Sequence, residues 1–306
     1  MFSKTITNGI EILTLETDHL TCSVAPALGG KILNLYNKHL NKEFLWINSN
    51  LRLQMQERGA DYDSNFLGGI DELVPNDMAE NIDGIDYPDH GELWTTPLEY
   101  SQLQDKITVH GNLVLSGLHY SKTIYADADS PVLYMDYAIK NTTNQQRHFL
   151  WKLHAALRIE AGDQLLTDAK HGQVVDPAYS RFKDTTPFEW TIIEGVDASA
   201  VPPKTDAMDF FYLYDIKNGE MQLLSNRGKH VFSYQYDAKV FPYQWYFASY
   251  GGFFDHYTAI LEPCTNMPMS VNEAKEMGQC AVLEPGEILN TTVRIYAGEN
   301  NNLSNT

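Results

Sequence analysis

Apolar residues recur at every second position in many short stretches of this chain, and glycine, proline, asparagine and aspartate separate the stretches. That period is the signature of strands with one buried face. In 133–140, Leu133, Met135, Tyr137 and Ile139 alternate with Tyr134, Asp136, Ala138 and Lys140, and an Asn-Thr-Thr-Asn turn follows. In 148–160 the odd positions Phe149, Trp151, Leu153, Ala155, Leu157 and Ile159 are apolar, while the even ones include His148, Lys152, His154, Ala156 and Arg158. Read as one strand, this run projects Lys152 and His154 together from a face that is not the core. Further strands are expected at 211–216, 221–224, 231–236, 244–249, 257–262, 280–283 and 291–296, and successive hairpins within 5–50. Brief helices are expected around 51–57 and 270–277. The stretch 51–100 is irregular, rich in glycine and proline yet aromatic, which points to functional loops rather than disorder. No repeat or linker divides the chain. The pattern predicts an all-β fold, a large antiparallel β-sandwich forming a single domain over 1–306, with a frayed end at 300–306.

The strand expected at 257–262 ends on a carboxylate, Glu262. Pro263 follows, which cannot donate a ladder hydrogen bond, so the strand is expected to stop there. A carboxylate fixed at a strand end, with a loop mouth in front of it, is a common setting for a catalytic base. The plainer alternative is a strand-end glutamate pointing into water.

Charge and cysteine content narrow the partners. Forty acidic residues against 22 basic ones give a net charge of −18 with no basic run, which disfavours nucleic acid and anionic membrane and favours a small ligand. The first residues carry no signal-peptide core and no stretch is apolar enough to span a membrane, so a cytoplasmic location is expected. Cys22, Cys264 and Cys280 form no Cys-x-x-Cys pair, which suggests neither a disulfide framework nor a zinc ribbon. Cys264, beside Glu262, reads as a small buried filler.

Several motifs then coincide. Leu261-Glu-Pro-Cys-Thr-Asn-Met-Pro268, followed by Asn272, Ala274 and Leu283-Glu-Pro-Gly-Glu287, resembles the glutamate motif and closing strands of the aldose 1-epimerase (galactose mutarotase-like) superfamily. Ala27-Leu-Gly-Gly-Lys-Ile32, His90-Gly-Glu-Leu-Trp94 and Trp151-Lys-Leu-His154 fall in the order that family requires. The resemblance implies the two-sheet supersandwich and an enzyme that interconverts sugar anomers. That reaction needs a base at the C1 hydroxyl and an acid at the ring oxygen, with no metal or other cofactor. By resemblance Glu262 is the base, His154 the acid, and His90 the second active-site histidine.

Sugar contacts are expected from Lys152, from Asp206 or Asp209 with Asp209 preferred, and from Trp94 and Trp245 as stacking platforms, while Trp151 is assigned to the core. The arginine that galactose mutarotases place before the first histidine has no counterpart here. Leu67-Gly-Gly-Ile-Asp-Glu-Leu-Val-Pro-Asn76 occupies that stretch, so Asp71, Glu72 or Asn76 are candidates in its place. The expected partner is a small carbohydrate, and the expected assembly a monomer or homodimer. Two rivals share the fold: a hydrolase or lyase, which as a hydrolase would oppose Glu262 with a second carboxylate such as Glu92, and a sugar-binding protein without turnover.

Overall fold

The computed structural model describes residues 1–301. The frayed end expected at 300–306 therefore lies almost wholly outside the described residues. Two antiparallel sheets carry the chain. The larger begins with four consecutive strands, Phe2–Thr7, Ile10–Glu16, Leu20–Ala25 and Lys31–Asn37. It continues through Ile70–Leu73, Lys152–Arg158, Tyr257–Cys264, Tyr243–Tyr250 and Met208–Tyr214 to His171–Val174 and Phe188–Glu189. The second sheet has eight strands, with Val132–Asn141 and Ile288–Glu299 at its centre.

The alternating apolar residues explain how the sheets meet. Leu153, Ala155 and Leu157 of one sheet and Leu133, Met135, Tyr137 and Ile139 of the other belong to a single buried cluster running from Leu13 to Ala297. Non-directional burial of these faces drives the two sheets together. A polar cluster is built into that core. Glu72 turns inward and accepts from Lys122 Nζ at 2.8 and 2.9 Å and from Tyr137 at 2.6 Å, while Lys122 also donates to Gly30 O at 2.8 Å. Neither charge is solvated, so each depends on the other.

The outer face of the larger sheet is covered by the irregular stretch 44–98 and by the segment after Cys264. The structure alters three expectations here. The 51–57 segment is not a helix. Its apolar residues Leu51, Leu53 and Met55 alternate, which suits an extended chain, and a seven-residue helix gains too little from propensity alone to nucleate. The run 148–160 divides into Arg147–Phe149 and Lys152–Arg158. Between them Leu150 N donates to Pro75 O and Trp151 N to Thr265 Oγ1, so loop partners interrupt the ladder. Finally, the Glu262 strand runs on through Pro263 to Cys264. Pairing with Tyr243–Tyr250 continues past the proline, but against Lys152–Arg158 it skips from Leu261 to Cys264, where Pro263 has no N–H to offer.

The expected helix forms at Val271–Glu276, with Ser270 as N-cap accepting from Glu273 N. Among the described residues no helix is long and apolar enough to cross a membrane.

Candidate active site

Strand alternation places the candidate side chains. Lys152 and His154, Thr258, Ile260 and Glu262, and Phe247 all stand on the outer face of the larger sheet and line one cleft. The irregular stretch supplies the opposite wall through Tyr62, Asp63, Phe66, Asp77, Met78, Asp89 and His90. Its sharp bend at His90 and Gly91 requires positive φ at both residues, and a Cβ on Gly91 would lie 2.4 Å from Val74 O. Glycine is therefore needed beside His90 for steric reasons.

Lys152 lies at the centre of the charges. Its ammonium is 2.6 Å from Glu262 Oε2 and 2.6 Å from Asp77 Oδ1, and it rests 4.3 Å from the Trp245 ring centroid. All three charged groups are buried. The contacts are ion pairs without aligned hydrogen bonds: neither Glu262 Oε2 nor Asp77 Oδ1 has a hydrogen-bond partner among the described residues. Burial pushes the Glu262 carboxyl above the ordinary glutamate range, against the opposing pull of Lys152. Asp77 is also buried, but Lys152 and His90 outweigh that and hold it below the usual aspartate range. Two neighbouring carboxylates are thus pushed apart, one the better base and the other firmly ionised.

The two histidines are driven in opposite directions. Burial drives His154 well below the usual imidazole range, and the charges of Lys152, His90 and Lys31 act the same way, so it is neutral. Tyr62 donates to Asp71 at 3.2 Å, leaving its oxygen to accept from His154 Nδ1 at a long 3.4 Å. Assigned from that network, the tautomer carries its proton on Nδ1 and leaves the Nε2 lone pair for the cleft. His90 is only partly buried, which lowers its proton affinity, yet Asp89, 2.6 Å from Nδ1, and the nearby Asp77 raise it above the ordinary value. Its ring lies flat on Tyr62, with centroids 4.0 Å apart and planes 8° from parallel.

Glu262, His154, His90 and Lys152 come together in this cleft, and the other candidates sit elsewhere. Trp245 lies buried beneath Lys152, its indole N–H donating to Asn266 O. Trp94 packs edge-on against Tyr62 behind the wall, outside the cleft. Asp71 is covered by Lys31, 2.5 Å away, and by Tyr62. Glu72 is the core carboxylate, and Asn76 braces its own loop by donating to Met78 O and Pro88 O. Asp209 faces the core, held by Arg181 at 2.8 Å and Tyr250 at 3.1 Å, and burial raises its carboxyl to about 6. Asp206 is exposed in the turn before that strand and does not line the cleft. Cys264 is fully buried filler.

The sequence reading missed Asp77, Tyr62 and Asp89, which sit on loops with no periodicity to reveal them. Asp89 was the nearest to being legible, since it immediately precedes His90. Among the described residues no cluster of His, Cys, Asp and Glu has the makings of a metal site.

No family model matches the chain, and no curated protein matches it. Solved structures do. A candidate aldose 1-epimerase from Escherichia coli K12 superposes with a TM-score of 0.71 at 15% identity, over 97% of this chain and 100% of that one. A galactose mutarotase-like protein from Lactobacillus casei gives 0.67 at 16% identity, over 94% and 99%. A second such protein, from Clostridium acetobutylicum, gives 0.69 at 13% identity, over 98% and 99%. The chain therefore has the galactose mutarotase-like fold, as the resemblance in its motifs implied. At these identities the likeness speaks for the fold alone.

Proposed function

We propose that this protein is a cofactor-independent isomerase of the aldose 1-epimerase type, interconverting the α and β anomers of a free aldose. The observation that carries the reading is the convergence of Glu262, His154 and His90 on one cleft of this fold. Glu262 Oε1 takes the proton from the C1 hydroxyl, for which a buried carboxyl of raised proton affinity is suited. Sequence resemblance gave the acid role to His154, but the electrostatics favour His90. A neutral His154 has no proton to spare and instead accepts a hydrogen bond from a sugar hydroxyl. His90, kept protonated by Asp89 and Asp77, donates to the ring oxygen. The ring opens to the aldehyde, C1–C2 rotates, and closure returns both protons.

Lys152 is the one lysine or arginine lining the cleft among the described residues, and it is already paired twice. That favours a neutral sugar over a sugar phosphate. The hydrolase reading loses its suggested second carboxylate. Glu92 is turned away into a loop clamp, accepting from Leu115 N, Ser116 N and Ser116 Oγ at 2.7–2.9 Å.

The test is anomeric exchange by NMR on a panel of aldoses and hexose 6-phosphates, comparing wild type with Glu262→Gln. Catalysed exchange should fall at least ~10²-fold in the variant. Sugar binding without exchange in the wild type would replace this reading with the binding-protein one.

A further inference from the structure

The residue that most distinguishes this cleft is Lys152, and neither acid nor base chemistry assigns it a task. Its side chain is 4% exposed, between Glu262 at 1% and Asp77 at 9%. It reaches the site from the neighbouring strand, two residues before His154, while Asp77 comes from the loop that follows Pro75. A buried ammonium with one carboxylate would be a plain ion pair. With two, it is a shared charge whose position depends on both. The Trp245 face closes a further side of the ammonium, leaving it little freedom to swing towards a ligand.

We propose that Lys152 and Asp77 are positioning residues: the shared ammonium holds Glu262 by Oε2, so that Oε1 is presented to the sugar, and Asp77 holds the ammonium back from neutralising Glu262 fully. The proposal rests on the isomerase reading for its kinetic consequence only.

The charges facing Glu262 make the two positioning residues separable. Lys152 and His154 approach from the adjacent strand, Asp77, His90 and Tyr62 from the irregular stretch, and Cys264 lies two residues further along its own strand. Lys152 and His90 favour the carboxylate, whereas Asp77 disfavours it. Removing the ammonium should make Glu262 easier to protonate. Removing Asp77 should do the opposite, since Lys152 is then shared with nothing else. A residue that only fills space would move neither, or both in the same direction.

The experiment titrates Glu262 directly, in protein labelled at the glutamate carboxyl carbon, with its NMR resonance assigned by its loss in E262Q. In K152M the midpoint should rise by about 1–3 pH units, the usual effect of losing an adjacent opposite charge. In D77N it should fall. Should K152M not fold, the double variant K152M/D77N, which leaves no unpaired aspartate behind, should fold and still titrate above wild type. Unmoved midpoints, or shifts of the same sign in K152M and D77N, would overturn the proposal. The pH profile of anomeric exchange then separates the two readings. Opposed midpoints without any exchange in the wild type would uphold the clamp and remove the isomerase. Exchange with unmoved midpoints would do the reverse.

Discussion

Two buried lysines, each held by a carboxylate, make an instructive pair. Lys122 and Glu72 lie between the sheets, and Lys152 and Glu262 lie on the outer face. The first cluster is saturated: both Glu72 oxygens accept from Lys122, Tyr137 adds a further bond, and Lys122 also reaches a backbone carbonyl. In the second, one ammonium is divided between two acids, and the oxygens nearest it, Glu262 Oε2 and Asp77 Oδ1, are left without an aligned hydrogen bond. Burial is alike in the two places, and each is built around one lysine. What differs is satisfaction, and a partly satisfied polar cluster inside an otherwise consistent fold is where function is expected.

The comparison can be broken by mutation. The largest effect should come from Glu72→Ala, which strands Lys122 in the core and should cost about 3–5 kcal/mol of stability, read as a lowered denaturation midpoint. If the protein tolerates it, the core pair is not the structural element argued here. Glu262→Gln should invert the balance. Activity falls at least ~10²-fold, about 2.7 kcal/mol in transition-state stabilisation, while stability changes much less because Lys152 keeps Asp77. Equal destabilisation by the two changes would erase the distinction.

A smaller effect concerns pH. Exchange should follow a bell, lost at low pH as Glu262 takes up a proton and at high pH as His90 releases one. Both groups are raised, so the acid limb lies above the ordinary glutamate value of about 4.3 and the alkaline limb above the ordinary histidine value of about 6.5. Asp89→Asn removes the partner that raises His90 most, leaving only Asp77 to oppose burial, so the alkaline limb alone should move down. A profile that moves at its acid limb would place His90 outside the acid role. The smallest effect should be that of Ser270→Ala, which loses a helix cap and a bond to Glu80 outside the cleft lining, for about 1 kcal/mol of stability and little change in exchange.

Much of this was already legible in the chain. Period-two alternation determined that Lys152 and His154 share the face away from the core, because a strand leaves its side chains no other choice. Turn residues and apolar runs marked most strands of both sheets, since each strand is specified by neighbours close in sequence. The same rule exposes a weakness in naming both Asp71 and Glu72. Adjacent strand residues point to opposite faces, and one of the two had to be lost to the core. The brief helix at 51–57 failed for a related reason: its apolar residues alternate, and seven residues are too few to nucleate a helix on propensity alone.

What the sequence by itself determined was the all-β architecture, the face on which Lys152 and His154 stand, and the strand that carries Glu262. Tertiary structure alone decided the chemistry around them. Asp77 and His90 are brought to Lys152 by an aperiodic loop whose path is set by Gly91, Pro75 and packing against Tyr62, none of which leaves a spacing to count. Trp245 was committed to a place beneath Lys152 by the pairing of its hairpin with the Lys152 strand, which is distant in sequence. Proton affinities in the cleft follow from burial and from charges brought together across that distance, and these exist only once the sheets have closed.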